Sequence, residues 1–139
     1  MSQIPVEYLE WDSDFFGRRI ARITINNLSE ADTAEVLTWA EREKIDCLYY
    51  LASGLDKDAT GAAENAGFHL VDLRVTFIKD LLKPERSFIP EWHIRRAVEG
   101  DLETLKTMAR EAFQLSRFHV DRHFDQQKAD AMYGIWIEN

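Results

Sequence analysis

Apolar and polar positions alternate along Ile20–Ile25, IARITI, with the period of two that marks a strand. The preceding VEYLEW, Val6–Trp11, reads as a shorter strand. From Leu28 to Lys44 the period lengthens to that of a helix. Ser29 with Asp32 three positions later forms an S-x-x-D capping box, and Val36, Leu37 and Ala40, with Trp39 at the rim, share one face. Asp46–Ala52 is almost continuously apolar, as a strand covered on both faces requires. Asp56 is placed to cap a second helix running toward AENAGF, and Gly67 suits the left-handed residue that ends it. Beyond it, Val71, Leu73, Val75 and Phe77 fall on one side of a long strand spanning His69–Leu81. Strands interleaved with helices up to about residue 82 predict a layered α/β domain.

Residues 83–91, KPERSFIPE, hold two of the three prolines and interrupt the pattern as a linker would. The alternation then restarts with a strand at Trp92–Val98. A helix follows directly, with Asp101 as N-cap and Leu102, Leu105, Met108, Ala109, Ala112 and Phe113 at helical spacing. Gln114–Phe124 is a polar and aromatic loop. The last helix, within 125–139, lines up Ala129, Met132, Tyr133, Trp136 and Ile137. The pattern therefore predicts an N-terminal α/β domain at 1–82, a linker at 83–91 and a second unit at 92–139. One strand is little cover for two amphipathic helices. Their stripes are expected to bury against the first domain, against a second copy in a homodimer, or against segments beyond this chain.

Composition narrows the class of partner. Of 139 residues, 45% are hydrophobic and 12% aromatic, enough for a packed core. The formal charge of −8 repels phosphate backbones and acidic membranes, so neither nucleic acid nor a membrane surface is an expected partner. Arg18-Arg19 and Arg95-Arg96 are the adjacent arginine pairs that leave room for a local basic pocket. Cys47 is the only cysteine and lies in the apolar run CLYYLA, where a buried thiol is the ordinary role. No apolar run reaches the roughly 18 residues a membrane-spanning helix needs, and a reducing cytosol is the expected compartment.

Three stretches carry candidate chemistry. WDSDFFG, Trp11–Gly17, contains Asp12-Ser13-Asp14, a D-x-D that can hold a metal beside a sugar nucleotide. Nothing basic and glycine-rich stands near it to hold the nucleotide. The better reading is structural: Asp12 or Ser13 caps a short helical turn, Phe15 and Phe16 enter the core, and Gly17 allows the exit angle. His119 and His123, with Asp121 and Asp125 nearby, would share a face on a helix. The stretch reads as a loop and offers no third ligand of convincing spacing, so no metal is expected. The third stretch, Ser116-Arg117-Phe118-His119, combines a hydroxyl, a guanidinium, an aromatic ring and an imidazole. An arginine there can pair with a phosphate through two hydrogen bonds, and an aromatic can cover a sugar or base. The plain alternative is a solvated loop with Phe118 filling a gap.

HIRRAVEGDLETLKTMAREAF, His93–Phe113, resembles the opening of the GNAT fold of N-acetyltransferases: an arginine-bearing strand, an Asp-capped helix, a polar loop and a second helix. LEWDSDFFG, GFHLVDLRVTFIKDL, SRFH and WIEN, in that order, look more narrowly like the bacterial TDP-fucosamine N-acetyltransferase group, which places a smaller α/β domain before the acetyltransferase domain. The resemblance implies acetyl transfer from acetyl-CoA to a primary amine, the acceptor being a nucleotide-linked amino sugar. It assigns Ser116, Arg117, Phe118 and His119 to the acceptor side. GNAT enzymes hold the acetyl-CoA pyrophosphate at a Q/R-x-x-G-x-G/A loop on a helix N-terminus. None of the six glycines here, Gly17, Gly54, Gly61, Gly67, Gly100 and Gly134, has that spacing. The expectation is thus the front part of such an enzyme, cut after the first strand and two helices of its GNAT domain. It would lack the cofactor segment and the late tyrosine, be inactive alone, and leave the catalytic base and acid unassigned. The competing expectation is a non-catalytic α/β module that dimerises or binds a ligand.

Overall fold

The computed structural model describes residues 4–80, 82 and 93–138. It is a mixed α/β chain that divides into two compact units, Met1–Leu70 and Val71–Asn139. The expected linker at 83–91 and Trp92 lie outside the described residues.

In the first unit, β1 (Val6–Tyr8), β2 (Ile20–Ile23) and β3 (Cys47–Tyr50) form one sheet in that order. β1 runs antiparallel to β2, with Val6 opposite Ile23 and Tyr8 opposite Ala21. β3 runs parallel to β2, with Ile20 opposite Cys47 and Ile23 opposite Tyr50. A parallel pair needs a long crossover, and helix α2 (Glu30–Arg42) supplies it. Ser29 accepts from the Asp32 N–H at 3.1 Å while Asp32 accepts from the Ser29 N–H at 3.1 Å, so the capping box read from the sequence forms. Asp56 likewise caps α3 (Lys57–Asn65), accepting from the Ala59 N–H at 3.0 Å, and Gly67 takes φ 86° after its end. Ile23, Leu28, Val36, Ala59 and Ala63 make the core between sheet and helices, bordered by Ile4, Val6, Ile25, Leu48, Tyr50 and Phe68. The Tyr50 hydroxyl donates to the Asn26 carbonyl at 2.6 Å and accepts from the Leu28 N–H at 3.3 Å, which fixes the turn into α2.

Helix α1 (Glu10–Phe16) is the stretch that raised the metal question. Asp12 and Asp14 are two apart on a helix, and such positions face opposite sides. Their carboxylates diverge and do not form a shared metal site. Neither Asp12 nor Ser13 is the cap, because the helix begins two residues earlier, after Leu9. Ser13 sits mid-helix and buried. Its Oγ accepts from the Ile20 N–H at 3.0 Å and lies 3.4 Å from the Ile20 carbonyl oxygen. Phe16 enters the core at 7% exposure, while Phe15 stays half-buried and stacks on Trp11 with centroids 5.0 Å apart. Gly17, at φ 68°, ends the helix in the left-handed region.

The second unit is helical among its described residues: α4 (Leu102–Ala112) after a 3-10 turn at Glu99–Asp101, α5 (Arg117–Val120), and α6 (Gln126–Glu138). Here the strand expectations fail. Between His69 and Asp80, and again from His93 to Val98, the backbone joins no sheet. Alternation alone does not make a strand, which needs a hydrogen-bonded neighbour and a face to bury. Leu73, Val75 and Phe77 are 76%, 64% and 92% exposed. The two amphipathic helices pack on each other and bury part of their stripes. Ala109 of α4, Ala129, Met132 and Tyr133 of α6, and Phe118 and Phe124 from the turn between them are buried. Phe113 and Tyr133 stack at 4.6 Å, and Lys106 bridges Glu103 on its own helix to Glu138 on α6. The stripe loses its cover in the last turn, where Trp136 and Ile137 are exposed.

Replacing Ser13 by alanine leaves the Ile20 N–H buried without its acceptor. Ser13→Ala is expected to lower stability by about 1–3 kcal/mol in urea unfolding, and an unchanged midpoint would refute the bridging role.

Candidate functional site

Arg95, Asp101 and the α4–α6 turn gather the polar chemistry of the second unit. The Asp101 carboxylate receives a forked guanidinium, with Arg95 Nη1 at 2.6 Å from Oδ2 and Nη2 at 2.8 Å from Oδ1. It also accepts from the Val98 N–H at 2.9 Å. Asp101 precedes α4 as expected, but its side chain makes no cap bond to that helix. It closes the preceding turn instead. The guanidinium fork, followed by the Val98 N–H, holds its carboxyl well below the usual carboxylate range.

Ser116, Arg117, Phe118 and His119 lie where the chain turns from α4 toward α6, and part of the expected loop is helical as α5. Phe118 is 2% exposed and meets Phe124 edge-on at 5.3 Å. Its ring is a packing residue and does not lie open to cover a sugar. Arg117 lies over that ring, its guanidinium carbon 4.4 Å from the centroid, so the cation rests against a buried aromatic. Ser116 occupies the N-cap of α5 but makes no capping bond. Its hydroxyl meets His119 Nδ1 at 2.9 Å. The other imidazole nitrogen, Nε2, meets Asp130 Oδ1 of α6 at 3.0 Å, and the ring lies nearly parallel to Tyr133 at 5.9 Å. The His119 side chain is 6% exposed and that of Asp130 54%.

His123 does not join this group. Its Nδ1 meets Asp121 Oδ1 at 2.8 Å, and a turn after Val120 separates it from the helix that carries His119. Among the described residues, no three His, Cys, Asp or Glu side chains come together as a metal-holding group. Cys47 is half-buried on β3. In the first unit, a shallow hollow of about 580 Å³ is lined by Asn27, Ser53, Leu55, Asp56, Lys57 and Asp58. Among the described residues no helix is long and apolar enough to cross a membrane.

Sequence reasoning selected Ser116 and His119 but missed Asp130. Its signal was faint: an acidic residue one position beyond the Ala129 of the buried stripe, on the rim facing the turn. Comparison with protein-family models, curated proteins and solved structures finds no significant match to this chain.

The fork on Asp101 has a direct consequence in acid. A carboxyl with a depressed folded pKa contributes stability above its unfolded value, roughly 3.9, and loses it as pH falls through the folded value. Carbon-13 detection of the side-chain carboxyls is expected to find Asp101 still ionised where ordinary aspartates are half protonated. Arg95→Met should return its midpoint toward the ordinary value, and an ordinary midpoint in the unaltered protein would rule out the fork.

Proposed function

We propose that this chain carries the acceptor side of a GNAT-type N-acetyltransferase whose substrate is the primary amine of a nucleotide-linked amino sugar. The observation that carries the reading is the Ser116–His119 turn. There a guanidinium rests on a buried ring, in the same turn as a hydroxyl and an imidazole in hydrogen-bond contact, between two packed helices. A guanidinium suits a diphosphate, which it can meet through paired hydrogen bonds. The order of Arg95, the Asp101-closed turn, α4, the polar turn and α6 supports the same reading through its likeness to the opening of the GNAT fold. In that reaction the amine loses a proton and attacks the acetyl-CoA thioester directly. The single cysteine fits a reducing cytosol as the compartment.

One observation favours a second reading, a non-catalytic α/β module that binds a ligand or dimerises: this sequence contains no Q/R-x-x-G-x-G/A segment for the acetyl-CoA pyrophosphate.

Calorimetry separates the two. A TDP-linked 4-amino-4,6-dideoxygalactose is expected to bind this chain, and Arg117→Ala to weaken it at least tenfold, as loss of a charge-assisted hydrogen bond worth about 1.5–3 kcal/mol requires. Acetyl-CoA is expected to give no binding heat. Failure of the nucleotide sugar to bind would leave the non-catalytic module as the better account.

A further inference from the structure

We infer that Ser116 is a nucleophilic serine, with His119 as its base and Asp130 as the residue that positions the imidazole. The hydroxyl would accept acyl groups from small activated esters or thioesters. This activity is separate from acetyl transfer to an amine and does not depend on that reading.

The geometry meets the requirements of an activated nucleophile. The hydroxyl is within hydrogen-bond reach of a ring nitrogen, and a third group fixes the ring. An ionised carboxylate only accepts hydrogen bonds. The nitrogen facing Asp130, Nε2, therefore carries the proton of the neutral ring, and Nδ1 is left to accept from the Ser116 hydroxyl. The nitrogens are exchanged relative to the usual serine–histidine–aspartate arrangement, where the serine faces Nε2. Either imidazole nitrogen can take the proton, so roles and distances define the constellation.

The Ser116 hydroxyl also lacks the ordinary structural use of a serine at this position. Ser29, at the N-cap of α2, accepts from a backbone N–H of its own helix. Ser116, at the N-cap of α5, makes no such bond and turns to the imidazole. Ser116 is half-buried, within reach of solvent, while the His119 side chain is nearly enclosed between Ser116, Tyr133 and Asp130.

The step balances without a further reactant. Ser116 Oγ attacks the carbonyl carbon of the ester as its proton passes to His119 Nδ1. The new Oγ–C bond forms, the bond from that carbon to the leaving group breaks, and the leaving group departs with the electron pair while His119 Nδ1 passes its proton to the leaving group or to solvent. Water then attacks the acyl-serine, giving up a proton to His119, and Ser116 Oγ leaves and is reprotonated.

p-Nitrophenyl acetate tests this on the chain as it is, with no acetyl-CoA present. Peptide mass spectrometry is expected to place the acetyl group on Ser116, with nitrophenolate released in step. Ser116→Ala should abolish that adduct, and His119→Gln should slow it at least about 100-fold, the scale of a lost general base. Asp130→Asn alters an exposed side chain and keeps the fold within reach should His119→Gln fail to fold. It is expected to slow acetylation about tenfold or more and to shift the His119 tautomer away from Nε2–H in nitrogen-15 spectra, a change that a packing role would not produce. Acetyl groups confined to lysines, or equal rates for Ser116→Ala and the unaltered protein, would overturn the assignment. Loss of nucleotide-sugar binding with Ser116 acetylation intact would strike only the acetyltransferase reading.

Discussion

The first unit depends on how the backbone of Ile20 is satisfied. Ile20 and Ala21 are adjacent, point to opposite faces of β2, and are both 0% exposed, so the strand is covered on both sides. A strand so enclosed needs partners for its amides along both edges. β3 serves one edge. On the other, β1 stops at Tyr8 and the chain turns into α1. The Leu9 N–H still reaches the Ile20 carbonyl at 2.9 Å, and beyond that point the Ser13 hydroxyl stands in for the missing strand by accepting from the Ile20 N–H. One side chain thus lets a helix replace a strand without leaving a buried donor unpaired. Further along the same strand, Arg22 and Glu7 are cross-strand neighbours and form an exposed ion pair at 2.5 Å, a small addition to what burial achieves.

The second unit works from a different constraint. Two helices with wide apolar stripes must hide them, and small residues let them approach: Ala109 on α4, Ala129 and Gly134 on α6. A Cβ on Gly134 would come within 3.1 Å of the Arg110 guanidinium, so that side chain lies across the glycine. The turn joining the helices is then pinned by buried Phe118 and Phe124 below and by the imidazole of His119 above. Packing and chemistry share this turn. The ring that bridges Ser116 to Asp130 also stacks on Tyr133, and Tyr133 stacks on Phe113 of the region leaving α4.

What could be read from the sequence was what is decided locally. The Ser29 box, the Asp56 cap and the Gly67 terminator each depend on residues within a few positions, and all three form. The stripe of Ala129, Met132 and Tyr133 was legible for the same reason, since period alone defines it. Leu73, Val75 and Phe77 show the limit: their alternation is as clear as that of β2, but a strand is completed by a neighbour the local pattern does not specify. The helix at Glu10–Phe16 was legible only as a turn, because three aromatics and an N-cap at Leu9 give weak local signals that contact with Ile20 reinforces. At the candidate site, Ser116 and His119 stood out as a local cluster. Asp130 did not, because it lies eleven positions beyond His119 across a turn and a helix start, and only the packing of α5 on α6 brings it near.

Lys106 illustrates how a salt link shapes reactivity as well as shape. Its ammonium lies between Glu138 and Glu103, and those carboxylates raise its pKa above the ordinary lysine value, Glu138 contributing most. The side chain is only 13% exposed. An amine must shed its proton before its lone pair can attack an electrophile, so this nitrogen is expected to react more slowly than an ordinary lysine. The seam of the helix pair therefore holds an ammonium, flanked by two carboxylates, that acylating and alkylating reagents are expected to modify less readily than an exposed lysine.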